Sequence, residues 1–175
     1  MRSLIPLLLV FCALSWAQEP RLGKGRQALS LYVSPDFEGV TGDMLRLEAA
    51  YLYFFGEKLA LGASADYATI EDIAPGEKDY RFSEIDLGIT YHFDRGGSIL
   101  PYLGASLGFA RLTYLDLSDS SLVYGPDAGL QFFFTKTVAV DLSLAFRTAS
   151  NNVFVNDFIP EDSDLTFSFG LRVLF

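Results

Sequence analysis

Cysteine, histidine and tryptophan each occur once in this chain, as Cys12, His92 and Trp16. A lone cysteine excludes an internal disulfide and a cysteine cluster for zinc or iron–sulfur binding. Its position removes it further. Cys12 lies in the apolar stretch Leu4 to Leu14, broken only by Pro6, after Arg2 and before Ser15-Trp16-Ala17. A basic start, an apolar middle and a small-x-small end read as a secretory signal over residues 1–17, cleaved before Gln18. Phe11, directly before Cys12, does not suit a lipoprotein site. The mature chain is therefore expected to hold no cysteine, and His92 is its one imidazole. Positive charge is scarce as well: 13 Lys and Arg stand against 22 Asp and Glu, a net charge of −9. Losing Arg2 with the leader deepens it to −10. Nucleic acid is excluded as a partner, because phosphate binding needs basic patches. A run of eighteen apolar residues is also missing, which excludes a membrane-spanning helix.

Against these absences stands an apolar composition, 50% hydrophobic, with a mean hydropathy of +0.27. Such a chain must bury its apolar surface in protein or show it to lipid on alternating strands. The alternation is plainest from Leu165 to Phe175, where every odd position is large and apolar: Leu165, Phe167, Phe169, Leu171, Val173 and Phe175. Side chains alternate across a strand, so this segment has one greasy face. The pattern recurs at Leu29–Val33, Leu45–Phe55, Leu59–Tyr67, Ile85–Phe93, Leu103–Phe109, Ala128–Phe134 and Val138–Phe146. Eight strands result, several near the length of roughly ten residues that a tilted strand needs to cross a bilayer. The fold class that follows is all-β: an eight-stranded antiparallel up-and-down transmembrane β-barrel over residues 26–175, after a polar lead-in at 18–25.

The connections alternate in length. Pro35–Asp43, Ile70–Asp79, Thr113–Ser121 and Thr148–Asp164 are long; Gly56–Lys58, Asp94–Gly97 and Thr135–Thr137 are short. A transmembrane barrel segregates its loops this way, with short turns on the periplasmic side. A soluble secreted lipocalin-like barrel is the rival and requires the apolar face to point inward. The polar face argues against it. That face is rich in glycine and serine, with scattered charges, which suits the crowded lumen of an eight-stranded barrel. Enclosed charges must pair. Arg46, Arg147 and Arg172 are therefore expected to form a lumen network with Glu48, Asp66, Glu84, Asp86 and Asp141. Arg172, whose strand neighbours are small or apolar, must find its partner on an adjacent strand, at Asp141 or on strand one. Aromatics at the strand ends suggest two interfacial girdles. Tyr53, Phe55, Tyr91, Phe93, Tyr102, Phe132, Phe134 and Phe175 lie at the short-turn end. Tyr67, Tyr80, Phe82, Tyr114, Tyr124 and Phe146 lie at the other.

The aromatic terminus Phe175 resembles the closing residue of the small eight-stranded outer-membrane proteins, the OmpA/OmpX-like barrels. Pro101-Tyr102-Leu103-Gly104-Ala105-Ser106-Leu107-Gly108-Phe109 resembles their fifth strand. Asp127 to Phe132, followed by Val138 to Arg147, resembles their sixth and seventh. The resemblance covers the whole mature chain. It implies residence in the outer membrane of a diderm bacterium, with outer-membrane lipid around the barrel. It also implies handling by periplasmic chaperones and by the barrel-assembly machinery, for which Phe175 is the assembly signal.

Members of that family include anchors, adhesins, small pores and enzymes, so the resemblance leaves activity open. His92 is the catalytic suspect, because lipid A deacylases and acyltransferases of this architecture use a histidine. It sits two residues before a tight turn, at the expected periplasmic end, facing the lumen and without a His-x-Ser arrangement. A serine nucleophile needs a base within reach and an oxyanion site. No catalytic residue is therefore assigned, and the expected role is structural or surface-interacting, or that of a very narrow pore. The long loops are acidic but carry no EF-hand or RTX-like spacing, so they read as solvated surface, with a surface for divalent cations or a cationic partner as the alternative; no metal site and no cofactor is assigned.

Overall fold

The computed structural model describes residues 22–35, 42–72, 80–94, 96–114, 117–156 and 159–175. The proposed leader at 1–17 and residues 18–21 of the lead-in lie outside them. Eight long strands close into one barrel: β1 Gln27–Pro35, β2 Gly42–Phe54, β3 Leu59–Asp72, β4 Tyr80–His92, β5 Ile99–Tyr114, β6 Leu117–Phe133, β7 Val138–Ala149 and β10 Ser163–Leu174. Each pairs antiparallel with its neighbours, in the order β1-β10-β7-β6-β5-β4-β3-β2. Two short strands, β8 Phe154–Asn156 and β9 Ile159–Glu161, form a hairpin of their own between β7 and β10. Closure gives each of the eight barrel strands a partner on both sides, which hydrocarbon surroundings demand.

The alternation decides the facing. Leu31, Ile85, Leu87, Phe109 and Leu165 point outward and are more than half exposed, while Arg46, Glu84, Asp141 and Arg172 point inward and are buried. The apolar face is thus the outer one, which overturns the lipocalin-like alternative. Ladder lengths differ around the barrel. β5 and β6 pair from Ile99↔Phe132 to Tyr114↔Leu117. The closing seam, β1 with β10, pairs only from Ala28↔Leu174 to Val33↔Phe169. Serine and arginine side chains supplement it: Ser34 Oγ and Ser168 Oγ are 2.6 Å apart, and Arg172 Nε donates to Ser30 Oγ at 2.8 Å.

The lumen is layered. At the short-turn end Ala28, Leu52, Phe54, Ala60, Leu100, Phe133, Ala139 and Leu174 form an apolar cluster, with Leu22 of the lead-in packed against it. At the loop end a second cluster joins Ala68, Phe82, Ala110, Leu112, Val123 and Ala149 to Val153 and Phe154. The Phe82 and Phe154 rings are 5.9 Å apart. Large residues from some strands meet alanine on others, which lets a narrow barrel fill without clashes. The polar residues lie between these two plugs.

Three expectations need correction. The third long connection, Thr113–Ser121, is mostly strand: β5 runs to Tyr114, and β6 begins at Leu117 rather than near Ala128. Its serines and aspartates resemble a turn, but they pair across the hairpin, where Arg111 Nη2 donates to Ser118 Oγ at 3.0 Å. The fourth long connection, Thr148–Asp164, holds the β8–β9 hairpin and the start of β10. Two aromatics assigned to the girdles point inward instead: Phe82 is 4% and Tyr102 6% exposed. Each shares its strand's inward parity, with Glu84 and with Gly104 respectively.

Candidate functional site

The polar middle of the lumen divides into two centres. In the first, Arg46 of β2 is a hub. Its Nε donates to Asp66 Oδ1 at 3.0 Å and its Nη2 to Glu84 Oε2 at 3.2 Å. Its Nη1 reaches Asp164 Oδ2 at 3.2 Å and Thr166 Oγ1 at 3.1 Å on β10, across the bore. The guanidinium lies 5.0 Å from the centre of the Phe82 ring. The planar fork of arginine suits several acceptors at once. The backbone makes this convergence necessary: Asp66 stands opposite Glu84 in the β3–β4 ladder, and Glu48 opposite Asp66 in the β2–β3 ladder. Like charges directly opposite repel, and a cation between them offsets the repulsion. Arg147 approaches the other side of Glu84, with Nε 3.5 Å from Oε1.

The second centre surrounds Asp141 of β7, which is fully buried. Arg172 Nη2 lies 3.0 Å from its Oδ2. The Tyr32 hydroxyl donates to the same oxygen at 2.9 Å, and the Tyr102 hydroxyl donates to Oδ1 at 3.0 Å. Arg172 also donates to the Tyr32 hydroxyl and lies 5.5 Å from the Tyr102 ring centre. An enclosed carboxylate needs such donors, since each lone pair left bare costs free energy.

Of the residues proposed from sequence, Arg46, Asp66, Glu84 and Arg147 converge at the first centre, and Asp141 and Arg172 at the second. Glu48 and Asp86 line a cavity of about 100 Å³ between them, room enough for water. Phe175 stands apart, its side chain 56% exposed on the outer face while its backbone pairs with Gln27. His92 is fully buried at the short-turn end, its ring 5.1 Å from Phe54 and 5.7 Å from Tyr102. Gln131 Nε2 lies 3.4 Å from its Nε2. Sequence reasoning missed Tyr32, Tyr102, Ser30 and Thr166 as partners. Strand parity could have found them, because each sits at an inward position of its strand. It also placed Asp164 in a loop, whereas that residue is the second of β10 and reaches Arg46.

The geometry gives a braced, closed barrel and no nucleophile–base pair at His92 among the described residues. The outer membrane protein beta-barrel domain matches residues 3–172 of the chain. No curated protein matches the sequence. Among solved structures, the N-terminal β-barrel domain of Pseudomonas aeruginosa OprF is similar with a TM-score of 0.64 at 18% identity, covering 87% of this chain and 99% of that one. Neisserial surface protein A is similar with a TM-score of 0.57 at 20% identity, covering 86% of this chain and 96% of that one. The outer membrane enzyme PagL is similar with a TM-score of 0.51 at 19% identity, covering 83% of this chain and 98% of that one. At these identities the likeness to the three structures concerns the fold.

Proposed function

Because the chain belongs to the outer membrane protein beta-barrel family, we propose that it is a closed membrane scaffold that displays its outer loops for structural or surface contacts. The layering of the lumen carries this reading. Two apolar plugs, one around Phe54, Leu100 and Phe133 and one around Phe82, Val153 and Phe154, enclose a charged middle. An ion passing through would have to shed water at both plugs and displace Arg46 or Arg172 between them, a heavy electrostatic cost. The same reading takes residues 1–17 as a cleaved export signal. It takes periplasmic chaperones and the assembly machinery as partners in biogenesis, with Phe175 as the signal recognised.

A lipid-modifying enzyme is the competing class, and the likeness to PagL keeps it in view. The position of His92 favours the scaffold. An enzyme working on outer-leaflet lipid needs its base open to lipid at the outer end. His92 is inside, at the opposite end, packed between two aromatic rings. Planar-bilayer recording tests the scaffold reading: the refolded barrel should give no discrete conductance steps, and a steady open channel would overturn it. Lipid A mass profiles with and without the protein should be identical. A loss of one acyl chain that disappears in His92→Ala would establish the enzyme instead.

A further inference from the structure

The β3–β4 register brings three carboxylates to one place that no loop motif marks. Asp66 stands opposite Glu84, and Asp86 is the next inward residue on β4. One oxygen from each of the three lies within 4.8 Å of the others. All are buried, with exposures of 8%, 1% and 2% respectively. Arg46 satisfies one oxygen of Asp66 and one of Glu84. Among the described residues, neither oxygen of Asp86 receives a hydrogen bond, and Glu84 Oε1 meets only the Arg147 guanidinium, whose Nε is 3.5 Å away. The Ser106 hydroxyl, on the wall of the adjoining cavity, is also without a partner there. Opposite Asp86 the β5 residue is Gly108, which has no side chain to offer a donor.

A buried carboxylate without donors is costly, and the region holds more acid than base. Glu48 and Asp127 share the cavity wall with Asp66 and Asp86, against the guanidiniums of Arg46, Arg147 and Arg172. We propose that Asp66, Glu84 and Asp86 form a binding site for a hard divalent cation of the Ca²⁺ class. An all-oxygen ligand set disfavours soft metals that seek sulfur or nitrogen. Arg46 and Arg147 already hold Glu84 from its two sides, which leaves an irregular arrangement open at Asp86. Ca²⁺ accepts such geometry and takes 6–8 oxygens, whereas Mg²⁺ demands a near-ideal octahedron. The cavity supplies room for water to complete the shell. The bound ion ties β3 to β4 and neutralises the charge that the three arginines leave over. This site is independent of the scaffold reading.

The test uses the barrel refolded in detergent with CaCl₂, desalted, and assayed for metal by mass spectrometry. The parent should retain about one Ca²⁺ per barrel. Asp86→Asn, shown to be folded by heat-modifiable gel migration, should retain roughly a tenth of that or less. Equal retention by both proteins would place the ion on the acidic loops and overturn the site. No retention by the parent would also overturn it, and would mean that the cluster holds protons. If Asp86→Asn does not fold, Mn²⁺ broadening of amide resonances in the parent decides. Selective loss around Asp66, Glu84 and Asp86 supports the site, and loss confined to loops refutes it. Displacement of the ion by equimolar Mg²⁺ would refute the Ca²⁺ class.

Discussion

Replacing Arg172 with methionine keeps much of its length and removes its charge. Arg172 is 4% exposed and Asp141 fully buried, so the pair is little screened by solvent. The change strands the Asp141 carboxylate in the lumen with two hydroxyl donors, from Tyr32 and Tyr102. It also leaves Ser30 Oγ without its Arg172 donor. Removing one partner of a buried pair costs about 3–5 kcal/mol. The two remaining hydroxyls put Arg172→Met at the low end, about 3 kcal/mol. Asp141→Asn in the same chain removes the stranded charge and still accepts a tyrosine hydroxyl, so the double variant should recover about half the loss. Urea unfolding in detergent, followed by circular dichroism and by gel migration, measures all four proteins. The single-variant loss should change little with ionic strength, because the pair is enclosed. Arg172→Met as stable as the parent, or two variants whose effects simply add, would refute a buried coupled pair.

Other outcomes follow from the packing. A Cβ on Gly108 would collide with the Ile85 carbonyl and the Asp86 side chain, so Gly108→Ala should cost about 1–3 kcal/mol in the same unfolding assay. Phe154→Ala opens only the loop-end plug, and bilayer recordings should stay silent because Phe54 and Leu100 still close the other end. Phe175→Ala, which keeps the backbone pairing with Gln27, should reduce assembled barrel in cells, read from heat-modifiable bands in membrane fractions. The detergent-refolded barrel should lose little stability, because the side chain packs on no core cluster.

The barrel was legible because it rests on a period of two repeated over eight segments, a pattern that few other folds satisfy. The charges of the lumen were legible for the same reason: Arg46, Glu84 and Arg172 fall on the polar parity of their strands. Partners were harder to name, because they depend on register between strands, and sequence fixes parity before it fixes register. Arg46 meeting Asp164 across the bore is such a case. Tyr102 and Phe82 were misplaced because aromatic residues near strand ends fit both an interface girdle and a lumen plug, and only parity separates the two. The β5–β6 extension was hidden by Ser118, Asp119, Ser120 and Ser121, which have turn composition yet pair in a hairpin. Val153 and Phe154 could not be read as a plug, because a loop folding back into a bore leaves no periodic trace.

Among the described residues the seam between β1 and β10 has the shortest ladder in the barrel, and it joins the first strand to the last. Backbone pairing there is thin, and side chains inside the bore reinforce it through Arg172 to Ser30 and Tyr32 and through Ser34 to Ser168. Integrity toward lipid is thus governed from the interior. A lumen change that releases Arg172 would let the first and last strands part and bare two rows of amides and carbonyls to hydrocarbon. Nothing in hydrocarbon can satisfy such edges except another strand. The damaged barrel would then seek one from a neighbour. A defect that begins as a missing charge in the bore would end as barrels joined edge to edge in the plane of the membrane.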